Sequence, residues 1–251
     1  MISNRHQNVN GHEVWGIVGG MGPLASAEFV NSIYRETPSS KEQESPSVIL
    51  ISDPTVPDRT EYLLNGKHDI LLQQLASSIE ALSAMGATRI VICCLTIHPL
   101  IRHLSPGLRQ KIVSLLDLVL DAVLRSRSRH LLLCTIGTRK LQLFEQHVLW
   151  KQAQHKVILP DDPDQESIHR MLYEIKNQRE VTTYLPFIED LLRKYSVSSY
   201  IAGCTEMHIV AKAHEQFRGR DRREFCIDPL TEILPMMQGN LPASAVHAVE
   251  C

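Results

Sequence analysis

This 251-residue chain lacks an excess of charge of either sign: 26 Lys and Arg face 28 Asp and Glu, for a formal net charge of −2. That balance excludes the broad basic face with which proteins grip nucleic acid or an anionic membrane, and leaves small molecules as the expected partners. No run of about 20 apolar residues occurs, so no membrane-spanning helix is predicted. The first ten residues are polar and lack the apolar centre of a signal peptide, which predicts a cytoplasmic protein. Cysteine is sparse, confined to Cys93, Cys94, Cys134, Cys204, Cys226 and Cys251. Several of these lie in apolar runs, as buried residues do, so a disulfide framework is not expected. No two cysteines stand at Cys-x-x-Cys spacing, which argues against a metal site. A Gly-Lys-Ser/Thr phosphate loop is missing as well. Gly19-Gly20-Met21-Gly22-Pro23 lacks the Gly-x-Gly-x-x-Gly register, and Pro23 removes an N–H donor, so a dinucleotide loop is not supported.

What is present is an alternation of strand, glycine turn and helix. Val14 to Gly19 reads as a strand entering the Gly19–Pro23 turn, and a helix follows whose apolar face includes Ala25, Phe29 and Ile33. Ser47 to Ser52 reads as a second strand, residues 69–85 as a helix, and Arg89 to Cys94 as a third strand. Ser105-Pro106 resembles a helix start, serine as N-cap and proline in the first turn, and Ile112, Leu115, Leu116, Val119 and Val123 continue at helical spacing. A second round opens at His130 with a strand running into a turn at Gly137. A short strand at Val157 to Leu159 follows, then helices from about Asp162 and Val181, and a strand from Ser199 to Gly203. Gly137 follows Gly20 by 117 positions and Cys204 follows Cys94 by 110, as two similar half-units would. The expected fold is α/β: two pseudo-symmetric domains, each a mainly parallel sheet flanked by helices, with the active site in the cleft between them. Residues 12–105 together with 212–240 are expected to form the first domain, 106–211 the second, and 241–251 a loose tail.

The two half-units converge on chemistry at Cys94 and Cys204. Each closes an apolar, β-branched run of the kind that forms a buried parallel strand, so each thiol is placed at a strand C-terminal end, where open α/β sheets bind ligands. Threonine follows closely in both cases, as Thr96 and Thr205. Thiols arriving from two such positions can set one base on either face of a substrate carbon, which suits the transfer of a proton from one face to the other. A cysteine has an ordinary pKa of about 8.5, so thiolate is accessible near neutrality where the site favours it. Cys93, by strand alternation, is assigned to the core. Cys134, Cys226 and Cys251 are read as structural.

Four segments resemble the aspartate/glutamate racemase family, the aspartate racemases most of all: Gly19-Gly20-Met21-Gly22-Pro23, Pro57-Asp58-Arg59-Thr60, Cys94-Leu95-Thr96-Ile97-His98 and Gly203-Cys204-Thr205-Glu206. The resemblance covers roughly residues 14 to 235. It implies a cofactor-independent, two-base racemase of L- and D-aspartate, possibly glutamate, working as a homodimer. Under it Cys94 and Cys204 are the catalytic bases. Arg59 pairs with the side-chain carboxylate, Lys176 is a second substrate-binding cation, and Met21, Thr96, Thr138 and Thr205 line the substrate. Alternatives implied by the same relationship are maleate isomerase or hydantoin racemase chemistry, and a non-catalytic amino-acid-binding homologue. The chain departs from the family pattern at Leu95, where asparagine is usual, at Thr55 and at His208. His98 matches a family position, as a site residue or as a cap of the following loop.

Overall fold

β1 (Val14–Gly19) leaves its sheet through Gly20 and Gly22, whose φ values of 86° and 147° only glycine adopts readily. The chain then enters α1 (Pro23–Glu36) with proline in the first turn, where no intrahelical donor is needed. The computed structural model describes residues 13–177 and 179–238. β2 (Ser47–Ser52), α2 (Arg59–Leu64), α3 (His68–Ala84) and β3 (Arg89–Ile92) complete a parallel sheet in the order β2-β1-β3. α4 (Pro106–Arg109) and α5 (Leu115–Arg125) lead into the second round. This comprises β4 (His130–Cys134), α6 (Ile136–Lys140), α7 (Trp150–Ala153), β5 (Val157–Ile158), α8 (Asp162–Lys176), α9 (Leu185–Lys194) and β6 (Tyr200–Gly203). α10 (Met207–Arg218), β7 (Cys226–Ile227), α11 (Pro229–Glu232) and α12 (Leu234–Met237) follow, and the second sheet is again parallel, in the order β5-β4-β6-β7.

The orders β2-β1-β3 and β5-β4-β6 are the same pattern: the first strand of each half is central, the second flanks it on one side, and the third on the other. Equivalent positions therefore fall at equivalent strand ends. Cys94 lies just past β3 and Cys204 just past β6.

Two expectations are corrected. The strand at 226–227 does not return to the first domain, as the 212–240 assignment requires, because β7 pairs in parallel with β6 through Tyr200↔Cys226 and Ile201↔Ile227. The helix expected from Ser105 ends at Arg109, and the Ser105 side chain forms no cap hydrogen bond. Ile112 instead forms a parallel bridge to Ile90, with Ile90 N donating to Lys111 O at 2.7 Å and Val113 N to Ile90 O at 2.9 Å. The backbone groups of this segment are drawn into the edge of the first sheet, and a helix resumes only at Leu115, capped by Ser114 through Asp117 N at 3.2 Å. The expected tail, 241–251, and Cys251 lie outside the described residues.

Among the described residues three apolar clusters hold the fold. One belongs to the first half and includes Leu71, Ile79, Ile90, Ile92 and Cys94. The second half has its own, with Leu131, Leu133, Ile188, Tyr200 and Cys204. A third joins Trp15, Phe29, Val91, Cys93 and Leu95 to Val119, Leu132, Cys134 and Ile201 across both sheets. At about 1.5 to 3 kcal/mol for each large side chain fully buried, this shared cluster ties the halves together. A polar bolt reinforces it: Ser32 Oγ of α1 lies 2.8 Å from His208 Nε2 of α10, and His208 Nδ1 donates to Asp228 Oδ2 at 2.5 Å. The sequence of groups is that of a hydrolase triad, but Ser32 and His208 have no exposure, so its role is to join elements.

Candidate active site

The end of β3 sets the first thiol. Cys93 N donates to Val18 O at 2.9 Å, Cys94 N to Ile92 O at 2.7 Å, and the imidazole Nδ1 of His98 lies 2.8 Å from the Cys94 carbonyl oxygen. His98 is 5% exposed and its Nε2 has no hydrogen-bond partner. Burial drives its pKa down to about 4, so the ring is neutral near pH 7 and donates from Nδ1 to that carbonyl. His98 thus braces the loop carrying Cys94. Cys93 points into the shared cluster, where burial pushes its thiol far up, in keeping with a core role.

Arg59, the first residue of α2, is 8% exposed. Its Nη1 donates to Val56 O at 3.2 Å and Pro57 O at 3.0 Å, and its Nη2 to Met21 O at 2.9 Å, while Nε has no partner. Burial alone lowers its pKa, but the neighbouring Cys94, Asp58 and Glu206 outweigh that and raise it. The guanidinium is thus locked as a cation beside Cys94 with one edge unspent. Met21, expected to line the substrate, contributes its carbonyl to this lock.

Cys204, at the end of β6, is 5% exposed and donates from Sγ to Glu206 Oε2 at 2.7 Å. Burial pushes this thiol well above its ordinary pKa, Glu206 adds to the rise, and Lys176 opposes it. The last residue of α8, Lys176 places Nζ 3.9 Å from Glu206 Oε1 and 4.6 Å from the centre of the Tyr173 ring. Burial works against its charge, but Glu206 and Cys204 prevail and raise its pKa. Cys94 and Cys204 are near enough for their charges to interact.

The threonines stitch the two halves at this point. Thr96 Oγ1 lies 3.2 Å from Thr135 Oγ1 and 3.3 Å from Thr138 Oγ1, and the latter two are 3.1 Å apart. Thr205 Oγ1 donates to Cys93 O at 3.2 Å. Across the same seam Tyr173 donates to Asp58 Oδ2 at 2.6 Å, an oxygen on the N-cap residue of α2. Burial and that bond push the tyrosine hydroxyl up to about 12. All eight predicted site residues, Met21, Arg59, Cys94, Thr96, Thr138, Lys176, Cys204 and Thr205, fall along this seam.

Sequence reasoning gave no role to Glu206, Thr135, Asp58 or Tyr173. Glu206 was the most legible of them, a carboxylate two residues past the second cysteine. Its burial to 2% exposure also explains Gly22: a Cβ there would sit 2.1 Å from Glu206 Oε1. Leu95 is 1% exposed in the shared apolar cluster, so the side chain that replaces the family asparagine packs in the core. Among the described residues no group of three or more His, Cys, Asp or Glu side chains is placed to hold a metal ion, and no helix is long and apolar enough to cross a membrane.

The sequence profile of Asp/Glu/hydantoin racemases matches residues 18–231, a span that takes in both half-units and both thiols. The chain belongs to this racemase family. Solved structures share the fold. The aspartate racemase of Picrophilus torridus superposes with a TM-score of 0.75 at 21% identity, over 93% of this chain and 97% of that one. A glutamate racemase from Bacillus anthracis gives 0.58 at 15% identity over 96% and 86%, and an allantoin racemase from Klebsiella pneumoniae 0.55 at 11% over 95% and 94%. Racemases of three different substrates thus share this frame. What distinguishes this chain within it must be read from its own side chains.

Proposed function

We propose that the chain is a cofactor-independent racemase of a dicarboxylic amino acid, with aspartate the first candidate and glutamate the second. The observation that carries this reading is a pair of thiols at equivalent strand ends of two half-units, flanked by two cations, the buried Arg59 and the half-buried Lys176. In the reaction one thiolate removes the α-proton as the C–H bond breaks and an S–H bond forms. The released electron pair is delocalised into the α-carboxylate, and the other thiol delivers its proton to the opposite face. Donors to that carboxylate, in a site kept from water, lower the barrier where charge develops. Two cations favour a substrate with two carboxylates over a neutral hydantoin ring, and the free edge of Arg59 fits a carboxylate in two parallel hydrogen bonds. A homodimer in the cytoplasm belongs to the same proposal.

The test is solvent deuterium uptake at the α-carbon of L- and D-aspartate, followed by NMR without added pyridoxal phosphate and paired with chiral chromatography. Exchange accompanied by loss of optical purity is expected. No exchange by wild type, or exchange undiminished when Cys94 and Cys204 are both changed to alanine, overturns the reading. Exchange with glutamate but not aspartate reassigns the substrate.

A further inference from the structure

We propose that Glu206 is a positioning residue that holds Cys204 as the protonated thiol in the free enzyme, so that the base meeting an arriving substrate is Cys94. This deepens the racemase reading and rests on it.

The geometry assigns the proton. Cys204 Sγ lies 2.7 Å from Glu206 Oε2, a contact that a thiol forms by donating and that two anions would not hold. Glu206 is 2% exposed, and its second oxygen, Oε1, has no hydrogen-bond partner, Lys176 being 3.9 Å away. It is also the N-cap residue of α10, yet its carboxylate caps no N–H of that helix. The carboxylate is thus withheld from its own helix and turned onto the thiol. Gly22 opposite leaves room for it, where any side chain would collide.

The groups facing each thiol differ in sign. Glu206, Lys176 and Cys94 face Cys204, whereas Arg59, Lys176, Cys93 and Cys204 face Cys94. The guanidinium beside Cys94 has an unspent Nε. After one turnover the distribution is inverted: Cys94 holds the abstracted proton and Cys204 is an anion against Glu206. The enzyme must then return a proton to Cys204 and release one from Cys94, through solvent, before the resting form is restored.

The experiment is thiol labelling with iodoacetamide across a pH series, with peptide mass spectrometry reporting Cys94 and Cys204 separately in wild type, Glu206→Gln and Glu206→Asp. In wild type Cys204 labelling is expected to begin at higher pH than that of Cys94, so that Cys94 carries the larger share of label at the lower end of the series. Glu206→Gln keeps an acceptor but removes the charge, and should lower the Cys204 midpoint, so that Cys204 labels faster than in wild type at the same pH. Glu206→Asp should restore part of the wild-type value. Equal midpoints for Cys94 and Cys204 in wild type overturn the proposal, as does an unmoved Cys204 midpoint in Glu206→Gln. The wild-type comparison decides even where a variant does not fold. Labelling needs no turnover, so it judges the proton assignment while deuterium exchange separately judges the racemase reading.

Discussion

In the first half-unit the thiol after β3 lies beside a guanidinium, whereas in the second the thiol after β6 lies against a carboxylate. Strand order and turn position are repeated between the halves, but the charges around the two thiols are not. Interconversion of mirror-image molecules has an equilibrium constant of unity, so kcat/KM must be equal in the two directions however unequal the halves are. The asymmetry can therefore bias the protonation of the free enzyme and the size of isotope effects, but never the direction of net reaction. The two positions are equivalent in the fold, and Arg59, Lys176 and Glu206 surround them with different charges.

The comparison breaks most directly at sulfur. Cys94→Ser and Cys204→Ser should each lower racemisation by about 10²- to 10⁴-fold, the usual worth of a positioned acid or base, with circular dichroism unchanged. The two losses should not multiply in the double variant, because both thiols act in one proton transfer. Retained turnover in either single variant means that one thiol suffices. Next in size, Arg59→Leu should weaken substrate binding by about 2 to 5 kcal/mol, read as a rise in KM for aspartate. It also deprives the carbonyls of Met21, Val56 and Pro57 of their donor, so its thermal stability must be measured alongside. An unchanged KM removes Arg59 from the substrate.

A smaller effect concerns the brace under Cys94. The unfolded chain protonates His98 near pH 6.5, whereas the folded protein resists until about pH 4. Between those values the unfolded state binds the extra proton, so stability is complete above pH 6.5 and falls as pH drops towards 4, by about 3 kcal/mol from this residue. Denaturant midpoints measured from pH 7 to 4 should decline less steeply in His98→Asn than in wild type, and parallel declines remove the assignment. Smallest is Gly22→Ala, which combines a φ of 147° with a methyl pressed on Glu206. It should cost about 1 to 3 kcal/mol of stability and shift the pH dependence of Cys204 labelling, because Glu206 must turn away.

Much of this is legible in the sequence. β-branched runs announced parallel strands, and the glycine turns marked their ends. The repetition at a nearly constant offset gave a reason for two strand ends to converge. What escaped notice depended on partners distant in the chain. Ile112 keeps helical spacing with Leu115 and Val119, but its neighbours' backbone groups are captured by Ile90, which no local pattern reveals. The residues around Cys226 look like a return to the first domain, yet β6 offers an open edge and takes the strand. Glu206 stood in plain view beside Cys204, but only burial distinguishes a carboxylate that controls a thiol from one at the surface. Leu95 read as a missing substrate contact until its side chain was found in the shared apolar cluster.

The triangle formed by Thr96, Thr135 and Thr138 has a consequence for handedness. Each hydroxyl has one proton to give, so the three donors can run round the ring clockwise or anticlockwise. Rotation about the C–O bonds exchanges the two senses while every heavy atom stays in place. In a family whose substrates come as mirror images, these side chains form a patch of chiral residues whose pattern of donors and acceptors is free to reverse.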